Sequence, residues 1–232
     1  MSETVVISTL AGECSFLAYC ARPDGEPRAA VVVIQEIFGV NAGIRRKCDR
    51  LAGDGYLALA PDLFWRIEKG VDLDPDVPEQ FQRALQLMGQ FEQDQGVADI
   101  EATIKHARRA LDVPKVGVVG YCLGGRLAYM VAARTDADAS VGYYAVGIPD
   151  LLREKHAIAH PLMLHLAGAD HFVPPEAQAA VHEGLDDHPK VTLHDYPGED
   201  HGFATEIGAR RSEAAANLAD SRTAAFFAEH LG

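Results

Sequence analysis

No apolar run in this sequence approaches membrane-spanning length, and its first residues, MSETVVISTL, lack a basic segment leading into an apolar stretch and a small-residue cleavage site. Neither a membrane span nor an export leader is expected, so a cytoplasmic location is the default. Positive charge is scarce as well: 21 Lys and Arg stand against 34 Asp and Glu, a formal net charge of -13. This balance argues against a nucleic-acid or anionic-membrane surface as partner. Cysteine is limited to Cys14, Cys20, Cys48 and Cys122, which without a leader read as reduced thiols rather than a disulfide framework. Internal repeats and low-complexity segments are missing too.

What is present is ordinary globular material. Hydrophobic residues make up 48% and charged residues 24% of 232 positions, enough to build one continuous core, and a single domain spanning residues 1–232 is expected. Two short apolar stretches around Gly12 predict a pair of antiparallel edge strands, at Val5 to Ile7 and Phe16 to Tyr19. The run AAVVVIQ (Ala29 to Gln35) reads as a strand buried on both faces. Ala42 to Gly53 reads as a helix, with Ile44, Cys48 and Leu51 at helical spacing. Cys14 and Cys20 fall in the amino-terminal strand region, where buried inert thiols are common.

The alternation then recurs. Strands are expected at Leu57 to Ala60, Lys115 to Gly120, Ser140 to Tyr144, Leu162 to Ala167 and Val191 to Tyr196. Helices are expected up to Leu111 and at Leu123 to Thr135, Pro175 to Leu185 and Ser212 to His230. This order predicts an α/β fold: a mostly parallel, twisted sheet with helices on both faces. One long irregular connection, Phe64 to Gln80, carries two prolines and several aspartates. It is either a pocket wall or lid, or a solvated crossover to the next helix.

The segment KVGVVGYCLGGRLAYMVAA carries the chemistry. An apolar strand ends at Gly120, Cys122 follows two residues later, and Gly124 and Gly125 open a helix. In such an elbow the nucleophile takes a strained backbone conformation, and the residues two before and two after it approach too closely for a β-carbon. Backbone N–H groups at the helix start, Leu123 first among them, would stabilise a thiolate and a developing oxyanion. The competing reading, a small buried cysteine in a phosphate-binding turn, lacks the lysine and hydroxyl of that motif.

A thiol of this kind needs a base, and the base an orienter, in the chain order nucleophile, acid, histidine. Asp170 stands just past the strand PLMLHLA, and His201 just past VTLHDYP, so both are expected at the carboxyl edge of the sheet beside the elbow. Among rival histidines, His165 lies inside an apolar strand, His194 on a strand beside the core, and His171 one step off a strand end. Asp200 is a poor orienter of His201 because adjacent side chains point apart. Asp170, His171 and His201 could gather around an ion, but no HExxH or Cys/His pair at ligand spacing accompanies them, and no metal is expected.

Together QEIFGVN (Gln35 to Asn41), GYCLGG (Gly120 to Gly125), VGYYAVG (Val141 to Gly147), GADHFVP (Gly168 to Pro174) and the His201 loop resemble the dienelactone hydrolase family over nearly the whole chain. The resemblance implies the α/β-hydrolase fold, a Cys122–Asp170–His201 triad, no metal or organic cofactor, a monomer, and hydrolysis of a small ester or lactone substrate. It further implies that Glu36 activates the thiol, that the Ile37 amide joins Leu123 in the oxyanion hole, and that Phe38 and Tyr144 shape the pocket. A solvated Glu36, or one paired with Arg45 or Arg46, is the plainer alternative.

One departure stands beside the match. The family grips the substrate carboxylate with two arginines, one of them four residues after the catalytic histidine, where this chain has Thr205. Near the second, only Arg83 is available and its register fits poorly; Arg66 could substitute but reads more naturally as a surface residue paired with an acid. Thr205 as a pocket residue therefore loosens the expectation of an anionic lactone. Readings of other kinds are a ligand-binding or redox-sensing protein in which Cys122 is reversibly oxidised, and acyl transfer or thioester cleavage on the same fold.

Overall fold

The run of β-branched residues forms a strand at the centre of a sheet. The computed structural model describes all residues, Met1–Gly232, and its central strand β3 (Ala30–Ile34) is buried at every position. The strands before it are β1 (Ser2–Ser8) and β2 (Ser15–Ala21); those after it are β4 (Leu57–Pro61), β5 (Val116–Tyr121), β6 (Ala139–Tyr143), β7 (Leu162–Ala167) and β8 (Val191–Tyr196). They build one eight-stranded sheet in the order β1-β2-β4-β3-β5-β6-β7-β8. Only the β1/β2 and β2/β4 pairings are antiparallel; the strands from β4 to β8 run parallel. The expected antiparallel edge and parallel body are both present.

Side chains alternate across the sheet with the period of two that a strand imposes. On one face Val32, Ile34, Leu59, Val118 and Leu164 pack against α2 (Pro78–Met88), α3 (Gln93–Ala110), α4 (Leu123–Arg134) and α5 (Pro175–Leu185). On the other, Val31, Val33, Ala58, Val119 and Val141 meet α1 (Ala42–Gly53) and α6 (Glu213–His230). The helix over Ala42 to Gly53 has the predicted bounds, and Asn41 caps it by accepting a hydrogen bond from the Ile44 N–H at 3.1 Å.

Two local expectations are revised. Ile148–Ala157 forms a 3₁₀ helix where no element was expected; its Pro149 and the charged run Arg153-Glu154-Lys155 hide any helical stripe, and only Ile148 and Leu151 are buried. Cys14 is exposed, because it lies in the tight turn joining β1 to β2, where Thr9 N–H donates to its carbonyl; Cys20 and Cys48 are buried. The Phe64 to Gln80 connection is a largely exposed crossover to α2, tied down on its way. Gly39 bridges to Asp72, Leu73 N–H donates to the Phe38 carbonyl at 3.0 Å, and Asn41 Nδ2 donates to the Leu73 carbonyl, so the connection buttresses the end of β3.

Candidate active site

At the end of β5 the chain turns through Cys122 at φ 56° and ψ -114° and enters α4 directly. A β-carbon on Gly120 would overlap the Gly124 carbonyl, and one on Gly124 would overlap the carbonyls of Ile34 and Gln35. Both glycines are therefore demanded by the close passage of strand and helix. Cys122 N–H donates to the Tyr143 carbonyl at 3.1 Å, and the Cys122 carbonyl accepts from Arg126 N–H at 3.2 Å. The strained residue is thus held on both sides, as an observed positive-φ outlier requires.

His201 and Asp170 follow β8 and β7, and the parallel sheet brings both loops to the edge where the elbow stands. His201 Nδ1 lies 2.8 Å from Asp170 Oδ2, with both side chains almost wholly buried. The second Asp170 oxygen accepts from Phe172 N–H at 2.9 Å. Burial opposes a charge on His201, but its bond to Asp170 and its interaction with Cys122 prevail and raise its pKa to about 10. With Nδ1 engaged, Nε2 is the atom left to face the sulfur.

The rival groups have other work. Asp200 accepts from the backbone amides of His171 and His201 and lies 2.7 Å from His171 Nδ1; burial is outweighed by these bonds and its pKa falls to about 2. Oxygens and nitrogens of Asp170, His171 and Asp200 lie within 4.8 Å of one another, with Asp170 committed to His201 and Asp200 to His171. His165 is buried between Tyr196 and Thr223, 2.8 and 2.9 Å from its two nitrogens, and burial drives its pKa well below the usual value. His194 stacks against it at 5.7 Å.

The loop bearing His201 rests on α1. Lys47, 3% exposed, donates to the Ala204 carbonyl at 2.7 Å and pairs with Glu206 and Asp220. Its ammonium lies 4.7 Å above the Tyr121 ring. Burial lowers its pKa, and the two carboxylates partly restore it. No pattern in the sequence singled out this lysine, because its partners lie far along the chain.

The two amides expected at the oxyanion position, Ile37 and Leu123, donate to no protein acceptor. Glu36 is 5% exposed and its Oε1 has no hydrogen-bond partner. It is neither solvated nor paired: Arg45 bonds Asp72 and the Val40 carbonyl, and Arg46 the Glu206 carbonyl. Cys122, Leu123, His201, Ile37 and Phe38 all line a cavity of about 430 Å³.

Two residues expected in the pocket lie behind it. Tyr144, 1% exposed at φ 37°, packs edge-on against His201 at 5.1 Å and supports the imidazole from below. Thr205 is buried, its hydroxyl turned inward to donate to the Ile207 carbonyl at 2.8 Å. Arg83 points away, to Glu68 and Gln86, and Arg66 is tied through both Nη atoms to Asp99. The cavity's apolar wall comes instead from Phe81, Leu85 and Met88 of α2, with Phe91 and Phe172, and its cations are Arg126 and Arg210. The sequence carried no sign of Arg210: the GARRSE stretch is a loop without periodicity.

Comparison with known proteins identifies the chain's relatives. The model of the dienelactone hydrolase family matches residues 16–231. An Azospirillum brasilense protein, provisionally named a carboxymethylenebutenolidase, is 46% identical over 219 residues, covering 94% of this chain and 95% of its own. The Pseudomonas putida carboxymethylenebutenolidase is 38% identical, covering 98% and 97%. A Klebsiella pneumoniae crystal structure provisionally named a dienelactone hydrolase superposes with a TM-score of 0.83 at 28% identity, over 99% of both chains.

Proposed function

Since this chain belongs to the dienelactone hydrolase family, we propose that it hydrolyses small carboxylic esters or lactones through a thioester on Cys122. The observation that carries the reading is the buried 2.8 Å contact between Asp170 and His201, beside a strained cysteine at a helix start. That arrangement supports a charged imidazole and a sulfur nucleophile together.

Cys122 Sγ attacks the carbonyl carbon, forming the C–S bond and pushing the π electrons onto oxygen. The Ile37 and Leu123 amides receive that oxyanion. Collapse breaks the C–O bond to the leaving group, which takes the proton from His201 Nε2. His201, now neutral and oriented by Asp170, accepts a proton from water as the hydroxyl oxygen attacks the thioester. The C–S bond breaks and the acid product leaves with the resting pair restored. Glu36, buried next to the elbow without a partner, takes part in activating the thiol. Thiolate is a good leaving group, so amides are poor substrates.

The test is a panel of aryl esters and lactones with wild type and Cys122→Ala, followed by intact-mass detection of acyl adducts. Turnover should fall at least about a thousandfold in the variant, as for loss of a nucleophile in a triad, and the adduct should disappear. Absence of both turnover and a Cys122 adduct across the panel sinks the proposal. Products recovered on an added alcohol or thiol rather than on water would point to acyl transfer.

A further inference from the structure

We propose that the groove between β8 and α6 is a second binding site, remote from the cysteine elbow, for an organic anion of the phosphate-monoester type. The groove encloses about 510 Å³ and shares no residue with the cavity at Cys122. Its strand residues, Pro161 and Met163 and then Pro189 to His194, stand toward the amino ends of β7 and β8, whereas Asp170 and His201 follow the carboxyl ends. The six residues of β8, at roughly 3.3 Å each, put about 20 Å between the two places. The site therefore needs nothing from the thioester chemistry.

Positive charge gathers here in a chain whose Asp and Glu outnumber Lys and Arg by 34 to 21. Arg222 of α6 is half-buried, and its one hydrogen bond within the protein runs from Nη1 to the Tyr196 hydroxyl at 3.1 Å. Its guanidinium carbon lies 5.4 Å from the centre of the Tyr196 ring, so the side chain is held in place while most of its five donors stay free. Lys190, exposed just before β8, faces the same groove from the opposite wall. Between them stand His194, half-buried, and His230, set edge-on to Phe226 at 4.6 Å. Burial and then the nearby Arg222 charge lower the His194 pKa. Glu229 is the one carboxylate in the lining. Asp195 is turned to the other side of β8, 3.1 Å from His182 Nε2 of α5.

The direction of these donors selects the ligand. A planar carboxylate is satisfied by a single guanidinium fork. Here an ammonium, a guanidinium and two imidazoles converge from a strand start, a strand middle and a helix. Three terminal oxygens spread about a tetrahedral centre can engage several of them at once, and a dianion offsets both unpaired cations. The floor is apolar, with Met163 and Phe226 at 5% and 7% exposure, and gives an organic body attached to the phosphate a surface to lie on.

The experiment measures binding without turnover. Calorimetry at about pH 8, where a phosphate-type group is a dianion, uses benzylphosphonate, whose C–P bond an ester hydrolase leaves intact. Wild type should bind it at least about tenfold tighter than phenylacetate, its planar counterpart, and than inorganic phosphate, which lacks the ring. Arg222→Met and Lys190→Met should each weaken binding about tenfold, and Arg210→Met, in the cavity at Cys122, should leave it unchanged. Imidazole resonances of wild type locate the ligand without any variant: those of His194 and His230 should shift during titration, and those of His171 and His201 should not. Absence of binding at millimolar benzylphosphonate overturns the proposal, as does equal affinity for phenylacetate or for inorganic phosphate. So does affinity that survives both groove variants or is lost in Arg210→Met, or a shift confined to His171 and His201. Where a variant fails to fold, the wild-type affinities and resonances still decide.

Discussion

At His201, burial and hydrogen bonding pull in opposite directions, and the bonds prevail. A histidine pKa raised to about 10, against about 6.5 in a free chain, contributes stability in full below about pH 6.5 and loses it as pH rises through about 10. Asp170→Asn removes the partner first responsible. The gap in unfolding free energy between wild type and Asp170→Asn, measured by chemical denaturation, should be wide at pH 6, of the order of 3 kcal/mol for one half of a buried charge pair, and should narrow by pH 10.5. A gap that does not change with pH would contradict this sign. For the same reason, under the proposed mechanism, kcat/KM on an activated ester should hold to high pH and fall near 10, where His201 loses its proton. The grouping of Cys122, Asp170 and His201 was legible because each follows an apolar run ending at one sheet edge. Thr205 was misplaced, and Arg210 missed, because a loop side chain's direction is set by local bonds such as that from Thr205 to the Ile207 carbonyl, which no periodicity reveals.

The β5–α4 elbow ties the chemistry to a steric demand on the backbone. Gly124→Ala would drive a methyl group into the carbonyls of Ile34 and Gln35. It should destabilise the protein by about 3 kcal/mol or more, and any folded fraction should lose activity as α4 shifts the Leu123 amide. Chemical denaturation paired with active-site titration separates the two losses; an unchanged midpoint would show that the contact relaxes freely. A gentler effect belongs to α1. Lys47→Met leaves Glu206 and Asp220 without their buried cation and frees the Ala204 carbonyl. It should lower kcat more than it raises KM, since the His201 loop is positioned by α1 and does not bind substrate through it. Strands and helices with strong periods, such as β3 and α1, were readable to within a residue or two. The 3₁₀ helix at Ile148–Ala157 was not, because two buried side chains in ten residues leave no stripe to detect.

Across the whole molecule the sheet is unevenly protected. β3, β5 and β6 are covered on both faces, whereas β1 exposes Val6 and its one buried side chain, Ile7, sits in a cluster of only four buried residues with Phe16, Ala18 and Ala102. Amide hydrogen exchange should therefore be at least about tenfold faster in β1 than in β3 and β5, and equal protection would mean that the edge opens only with global unfolding. The overall architecture was legible from the trade of strands and helices, but which helices wall the cavity was not, since that depends on how far α2 leans over the sheet edge. That helix leaves the sheet between β4 and α3 and supplies the apolar wall through Phe81, Leu85 and Met88, while Cys122, Asp170 and His201 follow β5, β7 and β8. The helix that supplies most of the apolar wall and the residues proposed to carry the reaction thus stand in separate stretches of the gene, so substitutions in α2 can reshape that wall without touching the proposed triad.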